Sequence, residues 1–587
     1  MSLFVVFIFG AVLLGAGAML SPAWRTAQPR IALSAAFCLA LLTGGAVFYT
    51  EAFGWDTLVI DYLLFALLSG VVLGGTLSTA QARAEARGER LQDHDLGWPG
   101  PEDLAFFALV ALLVIMPLFH LAAPLGTQGQ VTGFHSLTTR DGESFNSLAP
   151  FAPQAPVVIA PGFHALSAYL SLQLDHTIPL IQLSVSAVVV FLLLWLAYDF
   201  GAELSDKRLG RAMTIALLLC FGIHRSFLDG HFSELLALLF MQAFALYAIR
   251  LLRRFNLADL AAGGLMMGAV ITANLSLSLV MLFGFLSLLS LAWLDRRRAI
   301  TMKSRISLTV GLPLVALLGI APWLINNLPH ILPISPSPFT AEMGNFAHLT
   351  RGQGFVILPL ALFGIWMSLR MYGRLRFVSW LMLIWLLLVV EASLVGALGS
   401  LLPPLGALTN APNIARHGII LPYAWFGGIA LLQIWDGSVP TSLKRRLRRS
   451  AYRLMALTAV LILLAGGAFQ PILDAFRPLL DLPHATISDG DIVAMAWLRE
   501  NTAPDAVVMA ADGKAWLPVF AERRALDFNA VRTFEWDYLR RNAEGVDQIN
   551  FVLVSSGAEP PADMHLDVVF YQDDVRVYEV SDEQDTP

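Results

Sequence analysis

The sequence predicts an all-α polytopic membrane protein of about fourteen transmembrane helices with a small C-terminal extracytoplasmic α/β domain. Three observations carry that reading. Of 587 residues, 57% are hydrophobic and only 14% are charged, far from the balance of a soluble domain. Apolar runs of about 18 to 25 residues, each long enough to cross a hydrocarbon core as a helix, recur from Met1 to about Phe469. Beyond Phe469 the chain changes to short mixed segments rich in Asp and Glu.

The runs fall roughly at 2–20, 31–50, 57–80, 102–123, 178–200, 210–227, 233–250, 257–273, 276–294, 306–325, 353–369, 377–399, 417–436 and 452–469. Only "ANLSLS" separates the two runs between 257 and 294. The first run has neither a basic start nor a small-residue cleavage site, so it reads as a retained helix. Loops starting at 21, 81, 201, 250, 295, 370 and 440 carry 25 Lys and Arg, whereas the alternate loops carry four, Arg140, Arg225, Arg351 and Arg416. Basic residues accumulate in cytoplasmic loops. The alternation predicts an integral plasma (inner) membrane protein, multi-pass, with both termini extracytoplasmic.

The segment after Phe469 holds 22 acidic and 9 basic residues. Such a tail excludes nucleic acid and anionic headgroups as its partner. Cys38 and Cys220 both lie within apolar runs, so neither a structural disulfide nor a thiolate metal site is expected. The chain divides into N-terminal helices 1–101, a transmembrane module 102–469 with an external loop 125–177, and an extracytoplasmic α/β domain 470–587.

The long external loop contains "GFHSLTTRDGES", which reads as a polar turn because Asp-Gly is a turn signal. It then becomes amphipathic at "PGFHALSAYLSLQL", where Phe163, Leu166, Tyr169 and Leu170 recur at helical spacing. A helix begun by Pro161 and Gly162 and lying along the membrane surface is expected there. The cytoplasmic "AQARAEARGERLQDHDLGWPGPED" reads as a solvated connector and "SLKRRLRRSAYR" as a topological anchor. In the tail, "SDGDIVAMAWLREN" has a Ser/Asp cap and places Ile492, Val493, Ala496 and Trp497 on one helical face. Strands are predicted at "AVVMAA", "NFVLVSS", "DVVFYQ" and "VRVYEV", and a helix near "RTFEWDYLRRNAEG". The tail shows no phosphate-cradling Gly loop, metal-ligand spacing or nucleophile elbow.

Chemistry on the external side has several candidate homes. His135, Arg140, Asp141 and Glu143 share the long loop, with His164 at the start of the surface helix. A carboxylate at that boundary can act as general base toward a hydroxyl. "HRSFLDGHFSE" gathers His224, Arg225, Asp229, His231 and Glu234, a pattern that suits a divalent metal or pyrophosphate contact at Asp229 and His231, or an interfacial cap on the helix that Ser233 and Glu234 begin. Arg416 and His417 sit where a span starts, and a guanidinium there either grips a lipid phosphate or snorkels. Arg351 is a weaker version of the same arrangement. Asp61 and Glu391 are ionisable groups inside spans, where a functional site is the first hypothesis. Asp61 is close enough to "EAFGWD" to snorkel.

Taken together, these features resemble the GT-C superfamily of membrane glycosyltransferases. The resemblance lies in the large early external loop, its proline-glycine step into "APGFHALSAYLS", the basic turn "AELSDKRLGRAM" and the tail phrase "DIVAMAWLRENTAPDAVVMAADGKAWLPVFAERRAL". It implies hexosyl or pentosyl transfer from a polyprenyl-phosphate-linked sugar to a glycan, lipid or protein acceptor in the bilayer. No nucleotide is needed, and a divalent metal is compatible with it. It also implies an acidic residue where the first large loop leaves the membrane. Here that exit reads "FHLAAPLGTQGQVTGFHSL", with no acid before Asp141. The role then falls to Asp141 or Glu143, with His135 as a substitute base, or to Glu51 or Asp56 in the turn after the second helix. Arg416, with Arg225 or Arg351, would hold the leaving phosphate, and His417, His164 and Glu391 would line the substrate site. A transporter or flippase, and a catalytically degenerate GT-C-like scaffold, are the competing readings. Related halves with paired broken helices, expected of a transporter, are not found.

Overall fold

The computed structural model describes residues 2–20, 30–59, 61–63, 65–66, 69, 99–149, 152–156, 158–294, 300–331, 343–371, 373–396, 409–438, 450–451, 453–462, 487–510, 516–527, 549–560 and 565–581. Within them, nine helices are long and apolar enough to cross a membrane. They run Leu3–Leu20, Ile31–Phe53, Pro101–Phe119, Ile178–Leu204, Phe232–Arg253, Leu275–Leu294, Met302–Ile331, Gly373–Leu394 and Ala411–Gly437. This is an integral membrane protein.

The expected count of fourteen is not reproduced. Two of the predicted spans are bent pairs instead: Lys207–Leu219 with Phe221–Asp229, at 51°, and Asn345–Gln353 with Ile357–Ser368, at 92°. Counting each as a span gives up to eleven. The runs near 257 and 276 are two separate helices broken at Asn274, whose side chain accepts from the Leu277 amide at 3.0 Å. Most of the run at 57–80 and part of that at 452–469 lie outside the described residues, as does the connector after 80.

Phe232–Arg253 is apolar around its circumference, and it is buried along its whole length at the centre of the bundle. Ile178–Leu204 lies beside it. At the basic-loop end, buried charges are paired as lipid demands. Asp103 receives Arg211 at 2.6 Å, Arg30 meets Glu203 at 3.1 Å, and Asp199 accepts from the Leu33 amide at 3.2 Å. The last two contacts fasten the N-terminal helices to the module.

At the opposite end the polar turn predicted over "TTRDGES" is absent. Thr127–Gly142 is a helix, called the loop helix below, and Glu143 closes it at φ 51°. A hairpin of β1 (Ser147–Leu148) and β2 (Ala152–Pro156) follows. The next helix, Gly162–Leu174, starts where Pro161 and Gly162 predict. It does not lie on a membrane surface: residues 162–171 are all buried, because the loop helix, Ile31–Phe53 and Ile178–Leu204 pack around it.

The C-terminal domain is α/β. Ser488 caps Asp489–Asn501 in a reciprocal capping box with Asp491. Its buried face is Asp491, Ala494, Met495 and Leu498, rotated from the expected one, and Val493 is exposed. The sheet has the order β4-β3-β5-β7-β6, with β3 (Val507–Ala510), β4 (Arg524–Asp527), β5 (Phe551–Val554), β6 (Leu566–Gln572) and β7 (Val575–Val580). β3 runs parallel to β4 and β5, and β7 antiparallel to β5 and β6. β4 and the short helix Leu517–Ala521 have no counterpart among the predicted elements. The helix predicted near "RTFEWDYLRRNAEG" lies outside the described residues. Phe134, Leu137 and Ile178 share one apolar core with Met495, Trp516 and Val519, so the domain and the long loop lie on the same side of the bundle.

Candidate active site

The site begins at the bend between Lys207–Leu219 and Phe221–Asp229. The second of these helices ends at Gly230, with φ 90° and its amide bonded to the Ser226 carbonyl at 3.1 Å. That conformation favours glycine. A Cβ there would also stand 2.3 Å from the backbone of Gly129, so two glycines let the turn touch the loop helix. The Leu125 amide bonds to the Leu228 carbonyl at 2.8 Å, pinning the entry of the long loop to the same turn.

Four charged side chains meet here. Asp229 Oδ2 lies 3.3 Å from His231 Nε2 and 3.4 Å from Arg416 Nη1. Arg416 Nη1 is also in close contact with His231 Nε2. His231 Nδ1 faces Glu234 Oε1 at 3.4 Å, and that oxygen accepts from Asn413 Nδ2 at 3.1 Å. Glu234 is in the first turn of Phe232–Arg253, where backbone N–H groups favour a negative charge. Burial opposes a charge on His231, but Glu234 and Asp229 outweigh it and raise its pKa above the ordinary value. Exposure is graded: the side chains of Asp229 and Arg416 are each 16% exposed, those of Glu234 and His231 6% and 2%. Asp229 and Arg416 are the pair a ligand can reach, with His231 and Glu234 behind them.

The remaining predicted residues divide clearly. Arg225 is one helical turn from Asp229 on the same helix, hence on the same face. Arg351 opens a short turn whose Gly352 comes near Arg225 Nη1. His417 is fully buried; its Nδ1 donates to the Asn413 carbonyl at 3.0 Å and its Nε2 accepts from Ser226 Oγ at 2.8 Å, so both nitrogens are occupied within the protein. His164 and His135 pack ring to ring at 5.4 Å, with Ser136 Oγ 3.4 Å from His164 Nδ1. Burial, then His135, depresses the His164 pKa to about 3. Glu391 lies in the last turn of Gly373–Leu394.

Asp141 and Glu143 are not brought to Arg416. They lie at the far end of the loop helix, about 20 Å along its axis from the Asp229 end at a rise of about 1.5 Å per residue. Asp141 Oδ1 accepts from Arg140 Nε at 2.7 Å, and Arg140 Nη2 reaches Glu522 of the C-terminal domain at 3.0 Å. Burial raises the Asp141 pKa against the pull of Arg140. Glu51 accepts from Asn326 Nδ2 at 2.7 Å, and Asp56 caps the Leu58 amide at 2.8 Å. The metal reading of Asp229 and His231 is corrected. Among the described residues no group of three or more His, Cys, Asp or Glu is arranged to hold an ion, and the Arg416 guanidinium supplies the positive charge that Asp229 needs.

Two contributors were missed. Gln353 Nε2 donates to the Arg416 carbonyl at 2.7 Å while its Oε1 accepts from Cys220 Sγ at 3.1 Å, tying the Arg416 helix to the bend. Asn413 links Glu234 and His417, and its position three residues before Arg416 was the available signal.

No family model matches the sequence and no curated protein matches it. Solved structures do. ArnT from Cupriavidus metallidurans, solved bound to undecaprenyl phosphate, superposes with a TM-score of 0.55 at 13% identity, over 81% of this chain and 97% of that one. Its apo form gives 0.54 at 14% identity over the same shares. The fold is GT-C-like. A looser match, with a TM-score of 0.43 at 13% identity over 77% of this chain and 69% of that one, is the archaeal oligosaccharyltransferase AglB from Archaeoglobus fulgidus, solved with an inhibitory peptide and a dolichol-phosphate. In the GT-C-like frame of this chain, the long loop and the C-terminal domain together cover the end of the bundle at which Asp229 and Arg416 lie.

Proposed function

We propose that the protein is a membrane glycosyltransferase that moves a hexosyl or pentosyl group from a polyprenyl-phosphate donor to an acceptor hydroxyl at the extracytoplasmic face, with Asp229 and Arg416 as its working pair. One observation carries this reading. An ideal Cβ on Gly126 would fall 1.6 Å from Asp229 Oδ1. The Asp229 carboxylate therefore fills the space of a side chain at the entry of the long loop, where the resemblance calls for an acid and the loop itself has none. ArnT, whose fold this chain resembles, was solved with undecaprenyl phosphate, which supports a lipid phosphate as carrier.

Asp229 would accept the proton of the acceptor hydroxyl as its oxygen attacks the anomeric carbon and the bond from that carbon to the phosphate oxygen breaks. The charge gathering on the leaving phosphate would fall to Arg416, with Arg225 and Arg351 beside it. Engagement of Arg416 by phosphate would loosen its ion pair with Asp229 and leave that carboxylate to take the proton. His231 and Glu234 would act as positioning residues. Asp141 is the second candidate base, favoured by its raised pKa.

The test is sugar transfer from a panel of synthetic polyprenyl-phosphate hexoses and pentoses by full-length protein in proteoliposomes. Asp229→Asn is expected to lower the rate about 100-fold or more, and Asp141→Asn to leave it within about twofold. The reverse pattern would move the base to Asp141. No transfer by wild type from any donor in the panel would overturn the reading.

A further inference from the structure

The proposed reaction does not use a groove of about 410 Å³ between Ile31–Phe53, Leu257–Ala273 and Met302–Ile331. Its walls are apolar and include Gly44, Gly45, Phe48, Gly268, Gly319 and Ile320. Small residues open it: a Cβ on Gly44 would meet nothing within 4 Å, and one on Gly319 would meet only a Leu265 methyl at 3.5 Å. At this depth only hydrocarbon is available to fill such a space.

Toward the long-loop end the same helical stripes turn polar. Glu51 follows Gly44 by seven residues, Trp323 follows Gly319 by four, and Asn327 follows Ile320 by seven, so each continues the groove's face. Trp323 Nε1, Asn327 Oδ1 and Glu51 Oε1 are buried without a hydrogen-bond partner among the described residues. Trp323 is 2% exposed and Asn327 0%. Groups so buried are costly unless something meets them. The charge around this mouth has one sign. Glu51, Asp56 and Asp61 lie there, whereas residues 31–69, 255–294 and 306–331 contain no Lys or Arg.

We propose that the groove is a lipid site: it holds one acyl chain of a membrane lipid whose head group carries an ammonium, with the ammonium beside Glu51. A head of the phosphatidylethanolamine kind offers N–H donors to Glu51 and Asn327 and phosphate oxygens to the Trp323 indole N–H. An anionic head without an amine would set its charge against Glu51. The site belongs to the N-terminal helices, and its occupancy is independent of the transfer reaction.

The test is native mass spectrometry of delipidated full-length protein titrated with equal amounts of phosphatidylethanolamine and phosphatidylglycerol bearing the same acyl chains. Wild type is expected to retain the ethanolamine lipid at least fivefold over the glycerol lipid. Glu51→Gln is expected to bring that ratio to about one while keeping a lipid bound. Gly44→Phe, which points into open space and leaves the fold intact, is expected to lower retention of both at least tenfold. Equal retention of the two heads by wild type, or undiminished binding in Gly44→Phe, overturns the proposal.

Discussion

A carboxylate's usefulness depends on what already holds it. Asp141 and Asp229 are both acids on the long-loop side, yet Arg140 grips the first as part of a bridge to Glu522, while the second stands at an edge with a guanidinium that a phosphate can claim. The geometry of Arg416 matters as much as its charge. Arg416→Lys keeps a cation but loses the planar fork, and is expected to lower transfer about 100-fold, read as a fall in kcat in the liposome assay. His164 makes a separate, pH-dependent prediction. Its pKa in the fold is depressed to about 3, so the unfolded chain binds the extra proton more readily. Its contribution to stability is full above about pH 6.5 and is lost as the pH falls below that value, by up to about 1.4 kcal/mol per pH unit. Thermal unfolding in detergent between pH 7 and 5 should show that loss in wild type and a shallower one in His164→Gln. No shallower slope in the variant would remove His164 as its source.

The loop helix Thr127–Gly142 is held by contacts rather than by propensity. It contains Gly129, Gly133 and Gly142 among polar and β-branched residues, a composition that disfavours a helix. The glycines are where neighbours come closest: Cβ atoms there would stand 2.6 Å from Pro124, 3.0 Å from Val519 and 2.8 Å from the Ala149 carbonyl oxygen. That is why the sequence reads as a turn and the chain makes a helix. Gly230 is the corresponding point on the Asp229 turn. Gly230→Ala places a side chain at positive φ and against Gly129, and is expected to cost at least about 2 kcal/mol. The same variant should lower transfer, because the turn it disturbs carries Asp229. Its unfolding midpoint and transfer rate, measured together, check both effects.

Across the molecule, one ion-pair bridge joins the membrane module to its C-terminal domain. Arg140 is buried between Asp141 and Glu522, and these carboxylates outweigh the effect of burial to hold its pKa above the ordinary value. Glu522 is itself at φ 52°, an unfavourable conformation that the ion pair helps to hold. Arg140→Gln is expected to lower stability by about 1 to 3 kcal/mol. Its effect and that of Glu522→Gln should not add, and a double-mutant cycle of thermal unfolding measures the coupling. Additive losses would mean that the bridge does not join the two parts. Orientation is checked at the same scale. Val493, exposed on the domain, is expected when replaced by Cys to react with an impermeant maleimide from the extracytoplasmic side of intact cells.

Composition and periodicity alone determined that the chain enters a membrane, where most apolar helices run, where the helix at Gly162 starts, and that a mixed α/β domain follows Phe469. These are properties of neighbouring residues, and hydrophobic length and alternation report them directly. The bends at Cys220 and Gly354, the helix over 127–142 and the seating of 162–171 in the interior depended on packing between segments far apart in sequence. The same holds for the site. "HRSFLDGHFSE" and "NAPNIARHGII" each displayed their charged residues in one dimension, but they lie some 190 residues apart, and no local pattern states that Asp229 meets Arg416 or that its carboxylate fills the space beside Gly126. Those contacts exist only because the bundle folds the two segments onto the entry of the long loop.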